Sequence, residues 1–200
     1  AAMLLGQLLF PGLPQAIFLP LILSSLAILA SIISTYLVKI KGNQSIISAL
    51  YRSLIGAGVL SAIGFYPIIK AFAALLGSSE LRLYLPALVG LLIAAFIFLI
   101  TDFFTSKKHQ PVKSIVLASQ SGHATNIIAG LAVGMKSTLL PILLISAGIL
   151  ISFALAGIYG LAITVVSMLS LTGLIIALDS YGPITDNASG IVEMAGLDEK

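Results

Sequence analysis

Apolar residues run along this chain in long blocks, and polar residues interrupt them at only a few places. A helix needs about 20 mainly apolar residues to cross the hydrocarbon core of a bilayer, and the blocks reach that length repeatedly. The first covers 16–38 and is closed by Lys39 and Lys41. The second covers 47–76, with Arg52 near its start and Lys70 toward its end, and the polar turn Gly77-Ser78-Ser79-Glu80 follows it. The third covers 82–104, contains Asp102 at its end and precedes Lys107 and Lys108. From 105 to 136 the pattern is mixed: SIVLASQ reads as amphipathic turns at the membrane surface, leading into a further helix. The 42 residues from Ser137 to Leu178 carry no charge, which is room for two spans joined by a tight turn near Ala156-Gly157-Ile158-Tyr159-Gly160. The pattern predicts an all-α, polytopic transmembrane helical bundle of about five spans, 16–38, 47–76, 82–104, 137–156 and 158–179, forming one transmembrane region over 1–200. An acidic helix over 183–195 follows the last span.

Composition agrees with a bilayer as the solvent. The apolar fraction is 59% and the charged fraction 8%, against about 45–50% and about 25% in soluble domains. Mean hydropathy is +1.16. There is no cysteine, which excludes disulfides, thiolate metal sites and cysteine catalysis. The net charge of +3 lies in short loops and forms no basic face with interleaved aromatics, so nucleic acid is not an expected partner. With alternating spans, Lys39, Lys41, Arg52, Lys107, Lys108, Lys113 and Lys136 fall on one side, and only Lys70 and Arg82 on the other. Basic loops mark the cytoplasmic face, so the last span is expected to deliver its acidic end to the cytoplasm. The expected setting is a bacterial inner membrane. The first and last residues read as the ends of a piece of a longer protein. Small residues inside the spans, such as Ala27, Ala30, Gly56, Ala57, Gly58 and Gly148, are expected to let helix backbones approach closely.

The chemistry is concentrated in LDSYGPITDNASGIVEM. Asp179, Asp186 and Glu193 are spaced seven and seven, which places them on one helix face about 10 Å apart. Pro183 cannot donate to the Asp179 carbonyl, so a kink or an opened turn is expected at Tyr181-Gly182-Pro183. Carboxylates at membrane depth are costly and are functional candidates by default. A hard divalent cation, magnesium or calcium, is the simplest group to hold several of them together. The two histidines, His109 and His123, are not at ligand spacing, and His123 reads as a surface residue.

DSYGPITDNASGIVEMAG resembles a long signature of the membrane-integral, ion-pumping pyrophosphatases. TDFFTSKKHQPVKSIVLASQSGHATNIIAGLAVGMKSTLLP is similar to a second block of the same family, and SLAILASIISTYLVKIKGNQSIISALYRSLIGAGVLSAIGF resembles its middle spans. The resemblance covers nearly the whole chain, as a central portion of a longer protein. It implies hydrolysis of inorganic pyrophosphate coupled to export of protons or sodium, with Mg2+ as cofactor, in a homodimer of many-span subunits. By position in the motif, Asp186 corresponds to a magnesium-binding Asp, and Asp179 to its partner two turns earlier. Asn187 completes the Asp-Asn pair without a ligand role of its own. The rest of the site lies in motifs absent from these residues, so the 200 residues alone are not expected to be catalytic. Ser189 stands where the family usually has glycine, Asp102-Phe103-Phe104 replaces Glu-Tyr-Tyr, and Lys136 occupies a position where an acid is common. The alternative is a secondary transporter that binds a coupling cation at the acidic helix without hydrolysis. A non-catalytic membrane scaffold is a third reading.

Overall fold

A computed structural model describes residues 1–39 and 46–196, without the side chains of residues 46 and 47. Lys41, one of the loop cations, lies outside the described residues. Every regular element among the described residues is helical: α1 (Ala2–Leu9), α2 (Gln15–Thr35), α3 (Ile46–Leu75), α4 (Glu80–Thr105), α5 (Gln110–Ser119), α6 (His123–Ser137), α7 (Leu139–Met168), a 3-10 turn (Leu169–Leu171) and α8 (Thr172–Met194). Four stretches are long and apolar enough to cross a membrane: Gln15–Thr35, Ser48–Leu75, Glu80–Ser119 and His123–Met194. The expected number of about five is reached only if the last of these is divided where its chain turns back.

That reversal sits at Ala156 (φ −144°, ψ 24°) and Gly157 (φ 59°, ψ −152°). The second pair of angles is open essentially to glycine alone. α4 is gripped by both arms of the resulting hairpin. Along the arm before the turn, Arg82 Nε donates to the Leu155 carbonyl at 3.0 Å, and Gly148 meets the side chain of Ile93. This arm is antiparallel to α4. Along the arm after the turn, Thr164 Oγ1 donates to the Pro86 carbonyl at 3.0 Å, and Gly90 lies against Thr164, Ser167 and Met168. This arm is parallel to α4. A hydrogen bond of 2.7 Å between Thr164 and Ser152 ties the two arms together.

α2 and α3 form the other antiparallel pair. Ser34 and Ser53 hydrogen-bond at 3.2 Å inside the interface, and Leu19, Leu23, Phe65 and Ile69 are fully buried. Ala27, Ala30 and Ala57 are buried as the small-residue reading expects, and Gly56 admits the side chain of Leu37. α3 ends in a glycine cap. Gly77 takes φ +62°, and the Ser78 N–H reaches the Ala73 carbonyl at 3.0 Å, the six-to-one bond that satisfies an orphan helix carbonyl.

α1 has no counterpart in the hydropathy reading, because eight residues are too few to register as a span. It is held by its contacts: Gly6 lies against the Ala16 carbonyl, and Phe10 packs edge-on to Tyr159 with centroids 5.1 Å apart. The Tyr159 hydroxyl in turn donates to the Ala16 carbonyl at 2.7 Å. Outward, Phe18, Ile28, Ile32, Ile63, Leu92 and Phe96 are among the large apolar side chains left exposed, as a lipid-facing surface requires.

Candidate functional site

α8 continues the second hairpin arm through the 3-10 turn, so it runs in the same direction as α4. Leu171 anchors it. Its Cδ1 lies in ordinary contact range of Gly58, and it closes one end of an apolar groove of about 440 Å3 that Tyr51, Gly58, Leu91 and Phe98 also line. Leu174, Ile175 and Leu178 still pack against the core. Beyond Leu178 no side chain of α8 is buried, and Asp179, Asp186, Asn187 and Glu193 are all exposed.

The helical rise fixes the depth of each acid. Asp186 lies 15 residues past Leu171, and Thr105 lies 14 residues past Leu91, so each is about 21–22 Å from the common level. Asp186 is therefore level with the end of α4, and Asp179 lies about 10 Å inside it. That end of the bundle also carries Lys39, Arg52, Lys107 and Lys108. The Arg52 guanidinium donates to the Lys39 carbonyl at 2.8 Å, which brings the ends of α2 and α3 together there. Lys70, Glu80 and Arg82 mark the other end, where Lys70 Nζ stands 5.9 Å from the Tyr66 ring.

Two expectations are corrected. The opened turn at Tyr181-Gly182-Pro183 does not occur: α8 is one helix from Thr172 to Met194 with Pro183 inside it. The ring φ suits a helix, so only the bond to the Asp179 carbonyl is lost. One turn later, the Thr185 hydroxyl bonds back to the Tyr181 and Gly182 carbonyls at 3.0 and 2.8 Å. Nor do the carboxylates meet. No group of three or more His, Cys, Asp or Glu that could hold a metal ion exists among the described residues. Carboxylates sharing one magnesium ion would lie within about 4–5 Å of each other, given metal–oxygen bonds of about 2.1 Å, and steps of seven residues on a straight helix are twice that.

The donor set still suits a hard cation. Neither Asp179 nor Asp186 has a hydrogen-bond or ion-pair partner among the described residues. Magnesium keeps much of its water and takes one or two protein carboxylates, so Asp186 fits as a single ligand. The Thr185 hydroxyl is committed to backbone and would not join it.

A second polar cluster at the same end was not anticipated. Tyr51 of α3 donates to Asp102 Oδ1 of α4 at 2.7 Å, and His109 Nε2 stands 3.8 Å from Asp102 Oδ2. His109 also lies against the Phe103 ring at 5.2 Å. Local spacing could have linked Asp102 to His109. Tyr51 is 51 residues from Asp102 and becomes a partner only through the antiparallel pairing of α3 with α4. His123 is exposed at the start of α6, as expected.

Helices of spanning length around a lipid-facing surface, with free carboxylates at the basic end, define a sector of a polytopic integral membrane protein. The whole chain, residues 1–200, matches the family described as inorganic H+ pyrophosphatase. It is 47% identical to the "K(+)-insensitive pyrophosphate-energized proton pump" of Methanosarcina mazei, over 98% of this chain and 30% of that protein. It is 42% identical to the "Pyrophosphate-energized proton pump 2" of Mycoplana dimorpha, over 98% of this chain and 99% of that one. Against the protein of that same name from Rhizobium leguminosarum bv. trifolii the identity is 43%, over 94% and 91%. The chain thus spans under a third of the length of the Methanosarcina relative. It belongs to the inorganic H+ pyrophosphatase family.

Proposed function

We propose that the complete protein hydrolyses inorganic pyrophosphate and uses the free energy to export protons, working as a homodimer in a cell membrane with the acidic end of α8 in the cytoplasm. The observation that carries this reading is the unpartnered Asp179 and Asp186 on one face of α8, within a chain related throughout its length to proteins named as pyrophosphate-energized proton pumps. Seven cations against two in the loops support the cytoplasmic orientation.

Magnesium, when bound, would supply positive charge against the phosphoryl oxygens. Asp186, at the rim, would hold that ion and orient it. Asp179, two turns deeper, would act in the same site from the membrane side. The remaining binding and water-activating groups would come from outside these 200 residues. Proton rather than sodium transport follows from the names of the relatives, which are proton pumps.

The test is made on the full-length protein in inverted membrane vesicles. Pyrophosphate with magnesium should be hydrolysed and should acidify the vesicle interior with or without sodium. Asp186→Asn should lower both rates by more than about 100-fold, as loss of a metal ligand does at least as strongly as loss of its supporting groups. No hydrolysis by the parent protein with ample magnesium would point instead to the transporter reading. Sodium-dependent transport without acidification would overturn the proton assignment.

A further inference from the structure

The segment between the end of α4 and the start of α6 carries an outward surface that pyrophosphate chemistry does not use. Lys107, Lys108 and Lys113 are exposed within seven residues, and no carboxylate pairs with any of them among the described residues. Asp102, the nearest acid in sequence, is occupied by Tyr51 and His109. α5 itself has apolar residues on two sides. Pro111, Val112, Ile115 and Ala118 are half-buried toward the protein. Val116 and Leu117 point away from it, 57% and 63% exposed.

Spacing puts Lys113 on that outward face. Lys113, Val116 and Leu117 stand at i, i+3 and i+4, one turn apart on the same side of the helix. Water alone is a poor environment for such a face, and so is a hydrocarbon core. The boundary between headgroups and acyl chains suits it, because an apolar pair can enter while the lysine stem reaches back to the surface. The position agrees: α5 begins five residues after α4 ends at Thr105, at the end of a membrane-spanning stretch.

We propose that α5 is an interfacial helix that binds the anionic phospholipid headgroups of the surrounding bilayer through Lys107, Lys108 and Lys113, with Val116 and Leu117 inserted below them. The partner is the lipid surface itself, chosen by charge complementarity. The inference does not depend on the pyrophosphate reading. Each lysine close to an anionic surface strengthens partitioning by roughly fivefold, so three of them make the attachment sensitive to lipid charge.

The experiment places a nitroxide at Leu117→Cys, and separately at Val116→Cys, in the full-length protein in vesicles of phosphatidylglycerol and phosphatidylethanolamine. Collision with oxygen is compared with collision with a neutral nickel chelate. A lipid-inserted site gives frequent oxygen and rare nickel collisions, and this is the expected result. Frequent nickel collisions would mean water, and few collisions of both kinds would mean cover by protein, from elsewhere in the longer chain or from a second copy. Either result would overturn the proposal. The oxygen preference should fall at least about fivefold in vesicles of phosphatidylcholine, and equally in anionic vesicles when Lys107, Lys108 and Lys113 are changed to Glu. A preference indifferent to lipid charge would overturn the anionic assignment. Thermal unfolding of each labelled variant, matched to the parent, establishes that the readout comes from a folded protein.

Discussion

Gly90 is where the hairpin grip on α4 is tightest, and Gly90→Ala tests it. A Cβ built there would stand 2.7 Å from Ser167 Cβ and 2.9 Å from the Met168 nitrogen, with the Thr164 carbonyl oxygen closer still. Ordinary contact begins near 3.4 Å, and two of these three neighbours are backbone atoms that no side-chain rotation can move. The helices must therefore separate by about 1 Å, a gap that forfeits roughly a quarter to a half of each dispersion contact along the interface. Leu83, Ala87, Leu91 and Ile163 would all feel it, since they are buried in the same core. Overpacking of this kind costs about 1–3 kcal/mol. Weakening of the 3.0 Å bond from Thr164 to the Pro86 carbonyl adds about 0.6 kcal/mol on the scale measured between membrane helices. The sum is about 2–4 kcal/mol. Gly58→Ala is the matched control. Its Cβ would meet only Leu171 Cδ1, at 3.8 Å, while alanine gains about 1 kcal/mol of helix propensity over glycine. Unfolding of the full-length protein, followed by denaturant titration in mixed micelles, should show Gly90→Ala markedly destabilised and Gly58→Ala unchanged or improved. Equal stability of the two variants would refute the close approach of α4 to the second hairpin arm.

Gly157→Ala should cost about 1–3 kcal/mol, because φ 59° with ψ −152° excludes a side chain; an unaltered unfolding midpoint would show that the reversal lies elsewhere. Tyr51→Phe should lose about 1 kcal/mol, the worth of its hydrogen bond to Asp102. Combined with Asp102→Ala it should cost little more than the Asp102 change alone, and strict additivity in the unfolding titration would deny the pair. Spin labels at Ile176 and Ile191, 15 residues apart on α8, should lie about 22 Å apart along the axis. Pro183→Ala should leave that distance unchanged, and a shift of more than about 5 Å in pulsed dipolar measurements would restore the kink.

The long blocks of apolar residues were legible because a span needs only length and hydropathy, and both survive in sequence without knowledge of any neighbour. Thus α2, α3 and α4 begin and end within three residues of the positions read from the pattern. The turn at Ala156-Gly157 was legible for a different reason: glycine and alanine interrupt a charge-free run too long for one crossing. Pro183 misled because the missing N–H is a certain local loss, whereas the bend is only one of several responses. α8 remains a continuous helix, with the Thr185 hydroxyl bonding back to its backbone. Gly90 and Thr164 carry no local sign of their contact, which depends on a hairpin 70 residues away. The same holds for Tyr51 and Asp102. Sequence placed the acids on one face and at one end, but no spacing rule can supply ligands that come from other elements.

Asp179 makes that last limit a physical argument. It lies about 10 Å inside the level at which α4 ends, it is exposed, and nothing among the described residues pairs with it. A carboxylate facing lipid near the centre of a span costs about 2.5–3.5 kcal/mol on insertion scales, and the run of Ser180, Thr185 and Asn187 around it adds polar surface that hydrocarbon cannot satisfy. The outward face of α8 past Leu178 is therefore unsuited to contact with lipid. It differs from the exposed face of α2, where Ile28, Leu29, Ile32 and Ile33 meet no such penalty. Exposure means two different things on these two helices: on α2 it is the finished lipid surface, and on α8 it is one wall of a wet site. The relatives that extend well beyond this region have the chain length to build the opposite wall, and the unpaired carboxylates say what that wall must bring, namely cations.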